Sequence, residues 1–257
     1  MRILIDIQGC QSEGSRKRGI GRYSKQLIKH LILHYPDNEY ILFANPYLTD
    51  VRDDFEEELL DEKLNIFYFQ FYSPFLLRNN FNTSIERKSF AIQLRSYAIS
   101  NFSPDIILIS SFFEGFNDDS VIELNNAFEL PPVCTILYDL IPLIQSDFYF
   151  TNNPLYESFY HKRLINLSKL DSFLAISDSA ANELKEHLSI DQNTIYTISS
   201  ACDTKLFQPT KELFLSDKNN SLPFEKYILY SGAADPRKNI STLIKAYSKL
   251  STSLTHQ

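Results

Sequence analysis

Residues Glu225–Tyr247 read EKYILYSGAADPRKNISTLIKAY, and the parsing of that run decides the fold. Tyr227–Tyr230 is an apolar stretch of strand length, and Ser231-Gly232-Ala233-Ala234 is a turn of small residues. Pro236-Arg237-Lys238-Asn239 is a basic knot, and the remainder reads as a helix. Asn239 is a favoured N-cap residue type, and Leu243, Ile244 and Tyr247 recur at helical spacing. Strand, turn and helix in that order form the building unit of a parallel α/β sheet. The helix start also carries chemistry. Unpaired amides and the helix dipole favour an anion there. Arg237 and Lys238 add two full charges, so the unit suits the diphosphate of a sugar nucleotide. An ordinary strand–helix connection with two solvated cations explains the same residues equally well.

Toward the N-terminus the alternation repeats. Met1–Ile7 is a short apolar strand, followed by a long polar loop over Gln8–Arg18 that ends in Gly19-Ile20-Gly21-Arg22. A helix then runs to about Tyr35 with Leu27, Ile28, Leu31 and Ile32 inward. Strands are expected at Tyr40–Ala44, Leu64–Phe71, Asp105–Ile109, Val133–Leu137, Ser172–Ile176 and Thr194–Ile198. Helices are expected at Val51–Glu62, Ser84–Phe102, Pro154–Leu170 and from Ser177-Asp178-Ser179 to Leu188. The pattern predicts a parallel sheet with helices on both faces. Gln208–Pro223, rich in Ser, Asn and Lys, reads as a linker.

The chain has 257 residues, 44% of them hydrophobic, enough for one large core and part of a second domain. A net charge of −7 without a basic tail argues against a nucleic-acid partner. Asp6 interrupts a very short apolar opening, so Met1–Gly9 reads as neither signal peptide nor membrane helix. Cys10, Cys134 and Cys202 are odd in number and widely spaced, as expected of unpaired thiols in a reducing cytoplasm.

In a sheet of this kind, ligands bind beyond the carboxyl ends of the strands. Four clusters fall there: Gly19–Arg22, Tyr138–Pro142, Ser177–Ser179 and Gly232–Asn239. Gly19 and Gly21 could admit a phosphate to the backbone, or simply form a tight turn before a helix. Ser24 stands where a dinucleotide fingerprint has its third glycine, and strand two ends Phe43-Ala44-Asn45-Pro46 without the acidic residue that holds the ribose of NAD. A nicotinamide dehydrogenase is therefore rejected. Asp139 can accept from sugar hydroxyls or cap its own turn. Ser177, Asp178 and Ser179 are N-cap candidates. His30 and His34 lack a third ligand nearby, and Asp-x-Asp, the manganese clamp of the other large glycosyltransferase architecture, is absent. Asp53-Asp54 and Glu56–Glu58 read as a solvated helix face.

The order of these clusters resembles the retaining GT-B-fold glycosyltransferases of the group 1 (family 4) type, which include mannosyltransferases of bacterial surface polysaccharide synthesis. The resemblance is carried by YILYSGAADPRKNISTLIKAY and AISDSAANEL, with support from YDLIPL and RGIGRY. It implies an N-terminal Rossmann-like acceptor domain over 1–207, a linker over 208–224, and the start of a truncated C-terminal nucleotide-sugar domain over 225–257. It further implies donor-diphosphate contacts from Lys238, Arg237 and Gly232, with Gly19, Gly21 and Arg22 as the glycine-rich loop near the transferring group. Tyr138 and Asp139 match a catalytic pair that is often His-Asp. Ser177, Ser179 and Asp203 match the acceptor side of the cleft wall. Where many relatives carry an Arg straight after the turn glycine, this chain has Ala233.

The implied reaction is retaining hexosyl transfer, mannose from GDP-mannose being the commonest case, to a glycan or lipid-linked acceptor. No metal or other cofactor is expected, since fixed cations meet the charge that grows on the leaving diphosphate. The family's Glu-x7-Glu pair falls beyond Gln257, so the isolated chain is expected to be inactive, with a second chain as one possible source of the donor domain. The alternatives from another class are a non-catalytic acceptor-binding or partner subunit, and a degenerate remnant. The expected location is cytoplasmic, with peripheral contact at the inner face of the membrane if the acceptor is lipid-linked.

Overall fold

The computed structural model describes residues 1–72, 85–125, 127–201, 228–232 and 238–250. The chain divides into two compact units, Met1–Ala201 and Cys202–Gln257.

In the first unit β1 (Arg2–Asp6) leads into a short α1 (Gln8–Gln11), then α2 (Gly19–His34) and β2 (Glu39–Ala44). A 3-10 turn at Arg52–Phe55 precedes α3 (Glu56–Leu60), β3 (Asn65–Gln70), α4 (Ile85–Asn101) and β4 (Ile106–Ile109). After a long irregular crossing come β5 (Val133–Leu137), α5 (Ile141–Ile144), α6 (Ser146–Phe150), α7 (Pro154–Leu167), β6 (Ser172–Ala175), α8 (Asp178–Leu188) and β7 (Ile195–Thr197). The strands form one seven-stranded sheet of order β3-β2-β1-β4-β5-β6-β7, with every pairing parallel. This is the doubly wound arrangement. The strand order reverses between β1 and β4, which is where such sheets open a crevice at their carboxyl ends.

Apolar side chains bury both faces of the central strands. One layer joins Leu4, Ile41 and Ile107 to Leu164 and Leu184. The other joins Ile3, Ile5 and Leu42 to Ile28, Ile32 and Phe55. Continuous apolar runs are what a strand covered on both faces requires, and β2 and β5 are buried accordingly.

Several expectations need correction. Gln8–Arg18 contains α1, whose four residues are all buried. Gly19 and Gly21 lie inside the first turn of α2, so they do not form a turn ahead of it. Glu58 is not on a solvated face: it is buried and pairs with Lys29 at 3.1 Å, because α3 folds back toward α2. Two helices, α5 and α6, occupy the stretch after β5 that carried no helical expectation.

The second unit is described only at 228–232 and 238–250. α9 (Ile240–Tyr247) is present. Ile228–Tyr230 is neither a strand nor buried, since no neighbouring strand pairs with it among the described residues. Asn239 precedes α9 in a left-handed conformation, φ 49°, and its side chain caps nothing. An N-cap needs extended dihedrals to aim its side chain at the first-turn amides. The apolar side chains of Leu243, Ile244 and Tyr247 are exposed. Of the other residues expected to matter in this unit, Tyr227, Ala233, Ala234, Pro236 and Arg237 lie outside the described residues. Among the described residues no helix is long and apolar enough to cross a membrane.

Candidate functional site

The carboxyl end of β1 is built around a buried acid. Asp6, 0% exposed, accepts from the Gln8 amide at 2.9 Å and from Gln8 Nε2 at 2.8 Å, and it pairs with Arg95 of α4. These bonds turn the chain into α1. Gln8 Oε1 then accepts from Asn45 Nδ2 at 3.0 Å and from the Val121 amide at 2.9 Å. Asn45, at the end of β2, also donates to the Asp119 carbonyl at 2.8 Å, and its amide donates to Gln11 Oε1 at 2.8 Å. The position where a dinucleotide fold offers an acid to a ribose is thus saturated by protein bonds.

The crossing from β4 to β5 carries residues that sequence reasoning passed over. Ser110, Ser111 and Glu114 follow the end of β4 directly. Glu114 Oε1 accepts from Ser111 Oγ at 2.8 Å and from Ser15 Oγ. Gly9 lies so close to this turn that a Cβ would meet Ser111 Cβ at 2.7 Å. Gly115, with φ +97°, needs the left-handed region. Arg163 of α7, 1% exposed at its side chain, clamps the crossing from below. It donates to the Glu114 carbonyl at 2.6 Å and pairs with Glu123 at 2.6 Å. The signal was present in the sequence: Ser-Ser-Phe-Phe-Glu-Gly immediately after a buried strand.

Burial by itself would raise the Glu123 carboxyl, but the Arg163 guanidinium and the Lys88 ammonium outweigh it and hold the group at about 2. Lys88 is itself pulled below its ordinary value by burial, so Arg163 is the stronger partner. A carboxyl depressed in the folded state contributes stability above its unfolded value, near 4.5, that is lost as pH falls toward 2. About 3 kcal/mol should disappear across that window. Urea unfolding midpoints between pH 5 and pH 2 should show this slope, and Glu123→Gln should flatten it.

These elements enclose a cavity of about 270 Å3 at the carboxyl ends of β1, β4 and β5. Glu114, Asn117, Asp118, Asp139, Tyr156 and Tyr160 belong to its polar lining, together with Tyr138, Ser12, Ser15 and Ser111, and Phe113, Phe116 and Ile20 to its apolar lining.

Two expected residues lie in that lining. The Tyr138 hydroxyl is within 2.5 Å of Ser24 Oγ and donates toward the carbonyls of Ile20 and Ser110 at 3.2 and 3.3 Å. Burial pushes its phenol well above the usual value. Tyr138 therefore ties β5 to the start of α2 as a neutral hydroxyl. Asp139 Oδ1 accepts from the Ile141 amide at 3.1 Å, capping its own turn. Its Oδ2 has no hydrogen-bond partner among the described residues.

The other expected residues lie around or away from the cavity. A Cβ on Gly21 would meet Arg16 Cα at 2.4 Å and the Ser15 carbonyl at 2.6 Å, whereas one on Gly19 would meet nothing within 4 Å. Gly21 thus serves packing of backbone on backbone. Gly21→Ala should cost about 1–3 kcal/mol while Gly19→Ala stays within about 0.5 kcal/mol, as read by thermal unfolding. Arg22 is exposed. Ser177 caps α8, accepting from the Ala180 amide at 3.1 Å, and Ser179 is exposed on the first turn. β5 and β6 pair Leu137 with Ala175, so Asp139 and Ser177 leave the sheet side by side. In the other unit Lys238 is exposed next to α9, and a Cβ on Gly232 would meet the Tyr230 hydroxyl at 2.6 Å. Asp203 and Arg237 lie outside the described residues. Cys10 and Cys134 are free and buried, with burial raising both thiols, Cys134 to about 11; Cys202 lies outside the described residues.

No family model matches the chain. Among curated proteins it is similar to the serotype-specific mannosyltransferase WbdA of Escherichia coli, at 34% identity over 265 aligned positions. That alignment covers 99% of this chain and 30% of the relative. A second WbdA of Escherichia coli is 34% identical over 213 positions, covering 80% of this chain and 25% of the relative. The chain therefore spans less than a third of the length of these relatives. Among solved structures it is similar to a glycosyltransferase from Rickettsia africae, with TM-score 0.41 and 14% identity over 98% of this chain and 50% of that one. It is also similar to UGT89C1 of Arabidopsis thaliana complexed with UDP, with TM-score 0.42 and 11% identity over 79% of this chain and 50% of that one. Identity of one residue in three is thus sustained along 99% of this chain against mannosyltransferases of which it spans less than a third.

Proposed function

We propose that the chain contributes to hexosyl transfer, mannose in the first instance, from a nucleotide-sugar to a glycan acceptor in surface polysaccharide synthesis. The observation that carries this reading is the 34% identity to mannosyltransferases through 99% of the chain. On this reading residues 1–207 form the acceptor side, 208–224 link, and 225–257 begin the donor side. A lipid-linked acceptor would bring the chain to a membrane surface.

The donor end is assigned to Lys238, Arg237 and the start of α9. Because the Asn239 side chain makes no cap bond, the first amides of α9 stay available to an anion. Lys238 stands exposed beside them. As the glycosidic bond breaks, negative charge grows on the β-phosphate oxygen. A helix start and fixed cations can stabilise that charge without a metal, in keeping with a sequence that lacks Asp-x-Asp. At the acceptor end, Asp139 has one carboxylate oxygen free to accept from a sugar hydroxyl, while Tyr138 positions the strand end that carries it. Retention of configuration belongs to the same proposal.

The test replaces the aligned region of a curated WbdA relative with this chain and supplies GDP-mannose and a mannoside acceptor. Mannosyl product from the chimera is expected. A folded chimera that transfers no hexose from GDP-mannose or UDP-glucose would overturn the proposal.

A further inference from the structure

The phenol of Tyr160 is an anomaly. The residue is 2% exposed, it lines the cavity, and its hydroxyl has no hydrogen-bond partner among the described residues. A buried hydroxyl left unpaired is costly, and native structures rarely keep one without a reason. Its surroundings show what could satisfy it. The ring is stacked on Phe113, with centroids 4.6 Å apart and planes at 15°, which fixes its position. The charges that bear on the phenol include those of Asp139 and Glu183. Burial pushes its pKa above the ordinary phenol value, so the hydroxyl stays neutral and can both donate and accept.

Other polar groups of the cavity are unfilled in the same way. Glu114 spends Oε1 on two serine hydroxyls and leaves Oε2 without a donor among the described residues. Asp139 spends Oδ1 on its own turn and leaves Oδ2. Tyr156 also lines the cavity, with no hydrogen bond from its hydroxyl among the described residues. The lining also holds aromatic rings, in which Phe116 meets Tyr156 edge-on at 5.0 Å. Free carboxylate oxygens, neutral phenols and aromatic rings around one small space make a recognition set for a polyhydroxylated ring. Hydroxyls donate to the carboxylates, and the C–H faces lie on the aromatic rings. The cavity, about 270 Å3, falls just below the roughly 300–1,000 Å3 of sites for drug-sized ligands. It suits one sugar ring, not an oligosaccharide.

We infer that this cavity is a single-pyranose subsite, in which Glu114 and Asp139 accept from ring hydroxyls and Tyr160 completes the set. The choice of a sugar as occupant rests on the glycosyltransferase reading; the unfilled polar groups do not.

The experiment titrates the purified 257-residue chain with methyl α-mannoside, followed by ligand-observed NMR, beside Tyr160→Phe and Tyr156→Ala. Wild-type binding is expected. Tyr160→Phe should weaken it about three- to tenfold and raise the melting temperature, because an unpaired buried hydroxyl has been removed. A tyrosine with a purely structural role would not give that pair of opposite shifts. Tyr156→Ala, at a half-exposed position, should weaken binding without unfolding the chain. Failure of the mannoside to bind, or unaltered affinity in both variants, would overturn the subsite. If the mannoside fails to bind while the WbdA chimera transfers mannose, the subsite falls and the family function stands. Binding by wild type, weakened in Tyr160→Phe, with a chimera that transfers nothing keeps the subsite and removes the transfer reading.

Discussion

Replacing Asp6 by alanine is expected to lower the unfolding free energy by about 3–5 kcal/mol, the usual cost of stripping one partner from a buried ion pair. The carboxylate is fully buried and the Arg95 side chain is 3% exposed, so the guanidinium left behind would have no water to turn to. Its remaining described contacts are a 3.3 Å bond to the Glu123 carbonyl and the face of Phe43, 5.8 Å from centroid to guanidinium carbon. Alanine would also release both Gln8 bonds, and with them the turn that delivers Ser12 and Ser15 to the cavity. Asp6→Asn should fall between wild type and alanine, since it keeps an acceptor and loses the charge. Adding Arg95→Met to Asp6→Ala should recover part of the loss, because the stranded charge is what costs most. Urea denaturation of the four proteins measures this, and a loss under about 1 kcal/mol for Asp6→Ala would show the pair to be dispensable.

The second large effect is on turnover. Lys238→Ala in the WbdA chimera should remove about 3–4 kcal/mol of transition-state stabilisation, or about 10²–10³ in kcat. On the proposed reading the charge Lys238 answers appears on the leaving diphosphate only as the bond breaks, so kcat should fall much more than KM rises. Lys238→Arg keeps the charge with altered geometry and should restore part of the rate. Melting temperature should barely move, because Lys238 is exposed. A KM effect alone would make Lys238 a ground-state contact, and no effect would transfer the role to another cation.

Local pattern carried the sheet. Uninterrupted apolar runs such as Val133–Leu137 and Ser177 as a helix cap are determined within a few residues, and both stand as read. What escaped was set by distance. Asp6 reads as an interruption of an apolar strand until Arg95, 89 positions later, arrives beside it. Glu58 reads as solvent-facing because Lys29 lies on another helix. The glycines of α2 illustrate a subtler limit. A sequence cannot tell a glycine kept for a ligand from one kept for its own backbone, and Gly21 is filled by Ser15 and Arg16. Asn239 failed as a cap for a conformational reason: the residue type suits the role but its dihedrals do not. Glu114 and Tyr160 went unread because they lie 46 positions apart, on an irregular crossing and on α7, and meet through the Arg163 bond to the Glu114 carbonyl and the stack of Phe113 on Tyr160.

The strand order has a consequence for the growing chain on the ribosome. β1, β2 and β3 emerge first and can pair, but β1 sits in the middle of the finished sheet with β4 on its other side. Until α4 and β4 follow, one edge of Ile3–Asp6 has no neighbour and the Asp6 carboxylate has no cation. α4 and β4 are consecutive, so Arg95 and the missing strand arrive together, and the unpaired edge and the unpaired charge are cured in one step. The interval before that step is when a nascent chain of this topology is most open to wrong pairing, and when a chaperone would find the most to hold.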